Sequence, residues 1–322
     1  MPGQQNHKAN RPASSEKPRP VCFVFLDGVG LAPADEHNPL AQAAMPTLHR
    51  LLGGPLADSQ RTSQDGVLLR ALDACLGVEG LPQSATGQTA LFTGVNAAAV
   101  AGGHMAAHPT APLQEVIARH SLLKQASDQG LRAAFANAYT PAYWQRVAQG
   151  KLRHSASTLT TMAAGLPLRT LDDLARGEAV YWDITHAVLR SALAQDVPLL
   201  EPEEAGRRLA RLTAAHDLVL FESFLTDLAG HGRLPWPVSE VLTLLDRFLG
   251  GLLEAWPAEA TLVVSSDHGN LEDSRTLAHT RNPVPLLVVG PGAAAFAQAQ
   301  AITDVTPAIL RWFQVQGSRS KG

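Results

Sequence analysis

The chain reads as an α/β protein: a mostly parallel sheet sandwiched by helices, with a small inserted cap. Three observations predict this. Short, continuous apolar runs rich in β-branched and aromatic residues recur along the chain, the pattern of strands buried on both faces. Helical patterns lie between them, so strand and helix alternate as a parallel sheet requires. One stretch, residues 139–200, breaks that rhythm.

The first twenty residues, MPGQQNHKANRPASSEKPRP, are polar and proline-rich and have almost nothing to bury, so 1–20 is expected to be a disordered tail. Val21 to Leu26 (VCFVFL) then stops at the turn-forming pair Asp27-Gly28 and reads as a buried strand. Leu218 to Phe221, Leu262 to Val264 and Val284 to Val289 have the same character, and Ala133 to Ala138 has it more weakly. Helices are expected at Pro46–Leu52, Thr86–Phe92, Pro112–Gln129, Glu203–Ala214 and Val238–Ala255. Residues 139–200 carry TPAYW, the Ser/Thr-rich SASTLTTMAAG and an acidic helix start at LDDLARG. They read as a helical cap interrupting a core built from 21–138 and 201–316. No repeat of fixed period is visible.

At roughly 150 residues per domain, a chain of 322 residues allows two units, and 45% hydrophobic residues give each a core, which excludes disorder as the dominant state. The 26 Lys and Arg against 29 Asp and Glu leave a net charge of −3, no footprint for nucleic acid or an anionic membrane. Cys22 and Cys75 supply neither a disulfide framework nor a C-x-x-C pair, which fits a reducing cytoplasm. The N-terminal stretch lacks the apolar segment of a signal peptide, and no run approaches the roughly 18 residues of a membrane span, so a cytoplasmic protein is expected.

Acids and histidines then fall in a telling place. Three apolar strands run into an acid soon after their ends: VCFVFL into Asp27, LVLFESFL into Asp227 and LVVSS into Asp267. In an open parallel sheet those ends share one edge, where ligands usually bind. Asp227 has His231 four residues on, Asp267 is followed by His268, and His279 precedes the strand near Val284. Each piece has an ordinary reading: Asp-Gly is a common turn, a D-x-x-x-H spacing suits a helical ion pair, and a DHGN stretch suits a loop. Their conjunction at one edge favours a divalent ion, and carboxylates with imidazoles and no cysteine suit Mn²⁺ or Zn²⁺. Ser84, in LPQSATGQTALFTG, precedes a helix and would lie near free N–H groups and the positive end of its dipole, a place for phosphate as well as for an N-cap.

These residues resemble the alkaline phosphatase superfamily of two-metal phosphoryl-transfer enzymes, in particular the branch of cofactor-independent phosphoglycerate mutase and phosphopentomutase. The resemblance runs over about Val21–Thr110 and Asp217–Phe313: Asp27 in LDGVG, Ser84 in SATGQ, Asp227 and His231 in TDLAGH, Asp267 and His268 in SSDHGN, and His279 in AHTRNPVP, in the family's order. It implies an alkaline phosphatase-like core. It also implies one metal held by Asp227, His231 and His279, a second held by Asp27, Ser84, Asp267 and His268, and Ser84 as nucleophile. Asn96, His104 and Arg281 lie near these motifs and are weaker candidates for substrate contact.

Two departures bear on the reaction. Where the mutase branch has a histidine four residues after the nucleophile, this chain has Gln88, and the roughly sixty residues of the cap are far fewer than the inserted domain of the long phosphoglycerate mutases. TALFTG after Ser84 resembles instead the nucleotide pyrophosphatase and phosphodiesterase branch, and no sulfatase motif surrounds Ser84. Between Thr140 and Leu200, Arg146, Lys151, Arg153, Arg169, Arg176 and Arg190 nearly balance Asp172, Asp173, Glu178, Asp183 and Asp196, a poor cage for a doubly charged ester. The expected function is hydrolysis of a small phosphate ester through a Ser84 phosphoenzyme with two Mn or Zn ions. A phosphomutase is the first alternative and a non-catalytic binding protein on the same scaffold the second.

Overall fold

The structure is a computed structural model and describes residues 17–60, 62–64 and 66–319. Most of the stretch expected as a tail lies outside the described residues. Within them, Arg19 pairs with Glu259 at 2.9 Å and the Pro20 carbonyl accepts from the Thr261 amide, so the chain is already docked before the first strand.

Among the described residues nine strands follow: β1 (Val21–Leu26), β2 (Thr62–Gln64), β3 (Val67–Leu72), β4 (Ala133–Phe135), β5 (Ala138–Tyr139), β6 (Arg169–Thr170), β7 (Leu218–Ser223), β8 (Thr261–Ser265) and β9 (Val284–Val289). Seven form one sheet in the order β2-β3-β9-β8-β1-β7-β4, while β5 and β6 pair separately. The central strand β1 explains why the apolar runs are continuous. Its side chains alternate between faces, and both faces are covered. Val21, Phe23 and Phe25 enter a core with Phe92, Ile117, Ile309 and Phe313; Cys22 and Val24 enter the other with Leu209, Phe248 and Leu252. Burial pushes the Cys22 thiol up to about 12, which makes it an inert core residue.

Neighbours β4, β7, β1 and β8 are parallel. The sheet is nonetheless mixed, because β9 runs antiparallel to both β8 and β3, and β2 antiparallel to β3. Reversal of β9 sets its beginning beside the ends of β8, β1 and β7, with Ser265 opposite Leu286. The hairpin β2–β3 is absent from the sequence reading, since Arg70 interrupts the apolar run VLLRAL.

Among the helices, Pro46–Leu52, Pro202–Ala215 and Val238–Glu254 occupy the expected stretches. The stretch Pro112–Gln129 is not one helix. Ser121, in extended backbone at φ −62° and ψ 143°, closes Ala111–His120 and opens Leu122–Asp128. Residues 139–200 are tied to the body at several points. The Ala156–Ala163 helix places Ala156 in the first core, Val180 and Ile184 enter the second, and Leu174, Ala179, Tyr181 and Leu189 form a small cluster with Ala138. Among the described residues no helix is long and apolar enough to cross a membrane.

Phe92 joins the helix that starts at Ser84 to β1, with edge-on contacts to Phe23 and Phe25 at ring-centre distances of 6.0 and 5.2 Å. Truncation there removes buried area and leaves a cavity. Phe92→Ala is expected to cost about 3–5 kcal/mol in denaturant unfolding; a cost below about 1 kcal/mol would mean this contact does not hold the helix to the sheet.

Candidate metal centre

The topology delivers the acids and histidines to one place. Asp27 follows β1, Asp267 follows β8, Asp227 lies in the Leu225–Gly230 helix after β7, and His279 lies just before β9. Two groups of donor atoms result, each with its atoms within 4.8 Å of one another: Asp227, His231 and His279, and Asp27, Asp267 and His268. The two groups touch. The rings of His268 and His279 stack at 3.7 Å and 16°.

Ser84 is the first residue of the Ser84–Thr93 helix, and Gln83 occupies the cap position. This corrects the reading of Ser84 as an N-cap. Its Oγ is turned away from its own helix and lies 3.1 Å from His268 Nε2. Gln88, one turn on, donates from Nε2 to Asp27 Oδ2 at 3.1 Å, and the other carboxylate oxygen of Asp27 faces His268 Nε2 at 3.2 Å.

Each imidazole is oriented by a carbonyl behind it. His231 Nδ1 lies 2.6 Å from Leu277 O and His279 Nδ1 lies 2.8 Å from Pro82 O. A carbonyl only accepts, so both rings carry their proton on Nδ1 and turn the Nε2 lone pair inward. The two Nε2 atoms then face each other at 3.2 Å, repulsive unless a cation lies between them. Asp27 Oδ1 and Asp267 Oδ2 are buried without a hydrogen-bond partner, although His268 Nε2 is 3.2 and 3.5 Å away. Opposed lone pairs and orphaned carboxylate oxygens are what a pair of divalent ions would satisfy, so the residues fit such ions.

The electrostatics agree. Burial and then the charge of Asp27 hold the carboxyls of Asp227 and Asp267 above the usual range. For His268 burial opposes protonation, but Asp267, Asp27 and Asp227 outweigh it and push the imidazole up to about 10. Burial, reinforced by the charge on His268, brings His279 down to about 4. A protonated His268 is thus the counter-cation of the bare acids.

Several residues that build the site carried no sequence signal. Glu272, 1% exposed, accepts from the Gly30 amide (2.9 Å), the Asn270 amide (2.8 Å), Asn282 Nδ2 (3.0 Å) and Thr280 Oγ1. One carboxylate therefore clamps the loops behind Asp27, His268 and His279. In sequence it is an acid in a polar loop, and only its place after DHGN could have marked it. Two glycines permit close approach: Gly28, at φ 72°, would put a Cβ 2.9 Å from Asp227 Cα, and Gly87 would put one 2.7 Å from Asp267 O. Glu222, 3% exposed, is pushed up to about 8 by burial, with a Ser157 hydrogen bond opposing and the charge of Asp27 adding to the rise.

The weaker candidates are otherwise engaged. Asn96 caps the Ala97–Ala101 helix through the Ala99 amide and donates to Leu76 O. Arg281 donates to Gly80 O, and His104 lies 3.4 Å from Val78 O. All three brace the loop that leads to Ser84.

The chain has an alkaline phosphatase-like fold, and its segment 199–317 matches the model of the Metalloenzyme superfamily. Asp227, His231, Asp267, His268 and His279 lie inside that segment, and Asp27 and Ser84 outside it. In sequence the chain is similar to the 2,3-bisphosphoglycerate-independent phosphoglycerate mutase of Paracoccus denitrificans (strain Pd 1222), at 35% identity over 118 residues, 34% of this chain and 23% of the relative. The chain thus aligns with only about a quarter of the curated relatives it matches. Over the fold as a whole, alkaline phosphatase from the Antarctic bacterium TAB5 superposes with a TM-score of 0.53 at 14% identity, covering 94% of this chain and 99% of that one. Phosphoglycerate mutase from Leishmania mexicana does so with a TM-score of 0.54 at 11% identity, covering 92% and 95%.

Removing Glu272 leaves buried donors unmet, each costing about 1–3 kcal/mol. Glu272→Ala is expected to lose about 3 kcal/mol or more in chemical unfolding, and an unchanged midpoint would show that the clamp is dispensable. The pH dependence follows from the raised Glu222, whose ionisation at about 8 opposes folding, and from the raised His268. Its stabilisation is complete below the unfolded value near 6.5 and is lost as pH rises towards 10. Chelator-treated protein should therefore have a lower urea midpoint at pH 8.5 than at 6.5. Added divalent ion, taking over from that proton, should reverse the trend; the same slope with and without ion would contradict it.

Proposed function

We propose that the protein hydrolyses a small phosphate ester through a phosphoserine at Ser84, with Asp227, His231 and His279 holding one divalent ion and Asp27, Ser84, Asp267 and His268 the other. The observation that carries this reading is the position of Ser84 Oγ, 3.1 Å from His268 Nε2 and so at the edge of the second donor group, on the first turn of a buried helix. When bound, a pair of Mn²⁺ or Zn²⁺ ions supplies Lewis acidity that makes the serine an alkoxide near neutral pH and screens the phosphoryl oxygens. The chain does the rest. Ser84 Oγ attacks phosphorus in line, the bond to the ester oxygen breaks, and the alcohol departs with a proton. The positive end of the helix dipole favours the phosphoryl group there. Water then cleaves the phosphoserine and restores Ser84.

The matched relatives are named as phosphoglycerate mutases, which is the support for the second reading, a phosphomutase. Hydrolysis is favoured by the near-neutral residues 139–200 and by Gln88, which spends its amide on Asp27 at the position where the mutase branch has a histidine. Two reduced cysteines, Cys22 and Cys75, suit action in the cytoplasm.

The test is a panel of phosphate esters run on metal-free protein reconstituted with Mn²⁺ or Zn²⁺ in turn. Free phosphate should accumulate in step with substrate loss; phosphate moving between positions of a sugar or glycerate with little release would replace hydrolysis by the mutase reading. Ser84→Ala should lower turnover by several orders of magnitude. Because Oγ caps nothing, stability should change by less than about 1 kcal/mol. Retained activity with loaded metal would transfer the nucleophile's role elsewhere.

A further inference from the structure

Beside the metal centre lies a cavity of about 210 Å³. One wall hangs from the loop after Met105, whose backbone bonds to Thr86 in the first turn of the Ser84 helix. The opposite side is β7 and its continuation, Glu222 and Phe224, next to the strand that ends at Asp27. The remaining lining comes mainly from 139–200. Tyr139, Tyr143 and Trp182 together with Phe224 make the cavity aromatic.

These rings are held in place before any ligand arrives. Tyr139 and Tyr143 pack at 4.7 Å between centres, and their hydroxyls are engaged with Thr158 and His154, each at 2.7 Å. Trp182 packs on Phe224 at 5.9 Å, and its carbonyl accepts from Ser223 Oγ. Two features look for a partner. Glu222 Oε2 is buried with no hydrogen-bond partner among the described residues, and exposed Arg153 at the rim makes no ion pair among them.

We infer that this cavity receives the leaving group of the substrate, and that the substrate class is phosphate monoesters whose alcohol carries a planar aromatic or heteroaromatic ring. The inference rests on the phosphoryl-transfer reading above. An apolar space of about 150 Å³ is enough for benzene, so the cavity has room for one six-membered ring. Aromatic side chains contribute more to a ring than to a polyol, whose hydroxyls would lose water against them without compensation. A glycerate or sugar phosphate would find the polar lining residues Asn137, Thr140, Ser155 and Thr158 already hydrogen-bonded within the protein. A ring bearing a hydroxyl or N–H donor could in addition satisfy Glu222 Oε2.

The experiment compares benzyl phosphate with ethyl phosphate, both alkyl esters with leaving alcohols of similar acidity, on the full chain reconstituted with Mn²⁺ or Zn²⁺. Benzyl phosphate should have the higher kcat/KM by about tenfold or more, chiefly through KM. Tyr143→Ala and Trp182→Leu should each shrink that preference several-fold. Calorimetric binding of benzylphosphonate and ethylphosphonate, which cannot be hydrolysed, gives the same comparison without turnover. Equal kcat/KM and equal binding for the two would overturn the inference while leaving hydrolysis intact. Preferential phosphonate binding with no phosphate release from any ester would uphold the pocket and overturn the hydrolase reading. Loss of an equivalent of bound metal in Glu222→Gln, with no change in ring preference, would make the cavity part of the metal centre and count against it.

Discussion

Everything at the sheet edge answers to one electrostatic constraint: the carboxylates of Asp27, Asp227 and Asp267 converge where water is scarce. Two like charges at about 4 Å repel by roughly 4 kcal/mol at an effective dielectric of 20, a large share of the net stability of a domain. A folded chain relieves such a cluster by holding carboxyls above their usual range, as at Asp227 and Asp267, and by placing positive charge inside it. In the absence of ions that charge is the proton on His268, the one imidazole pushed upward while its stacked neighbour His279 is pushed down.

The scaffold around the cluster is built to keep it from relaxing. The clustered acids and histidines stand at or near the ends of short strands buried on both faces, where the backbone has least freedom. The carbonyls of Leu277 and Pro82 set the ring orientation of His231 and His279, Gln88 holds one oxygen of Asp27, and Glu272 draws three loops together with its own buried charge. An anion behind the clustered acids and histidines is tolerated because its donors satisfy it. Two backbone amides, an amide side chain and a hydroxyl face it, so its charge is spread over the loops it clamps.

How much of this was legible in the sequence depended on range. The central strands were, because burial on both faces leaves an unbroken apolar run, and the convergence of Asp27, Asp227 and Asp267 followed from parallel neighbours. Antiparallel β9 could not be read, since direction leaves no mark on an apolar run, yet it is what carries His279 to the same edge. The hairpin β2–β3 was hidden by Arg70, and the break at Ser121 by an apolar pattern that continues through it. Ser84 was placed near its helix, but the direction of its Oγ is a tertiary fact. Glu272, Glu222 and the cavity are of the same kind: a lone acid in a loop, or a tyrosine in TPAYW, acquires its role only from what folds against it.

The same tertiary facts bear on whether a bound intermediate could be kept and turned round. A mutase must close over its monophosphate and reopen for exchange, a movement of one segment against another. Here residues 139–200 contribute Ala156 to the core on one face of the sheet and Val180 and Ile184 to the core on the other. Swinging the whole segment as a lid would expose those side chains, at about 1.5–3 kcal/mol for each larger one. The outer helix Pro141–Ala148, with the exposed Trp144, buries no side chain in either core. An aromatic cavity held in this way can admit an ester and let its alcohol leave. It is ill suited to enclosing a polar monophosphate while that molecule rotates within reach of Ser84, and this anchoring, more than the charge of the segment, is what supports the proposal of hydrolysis over that of a mutase.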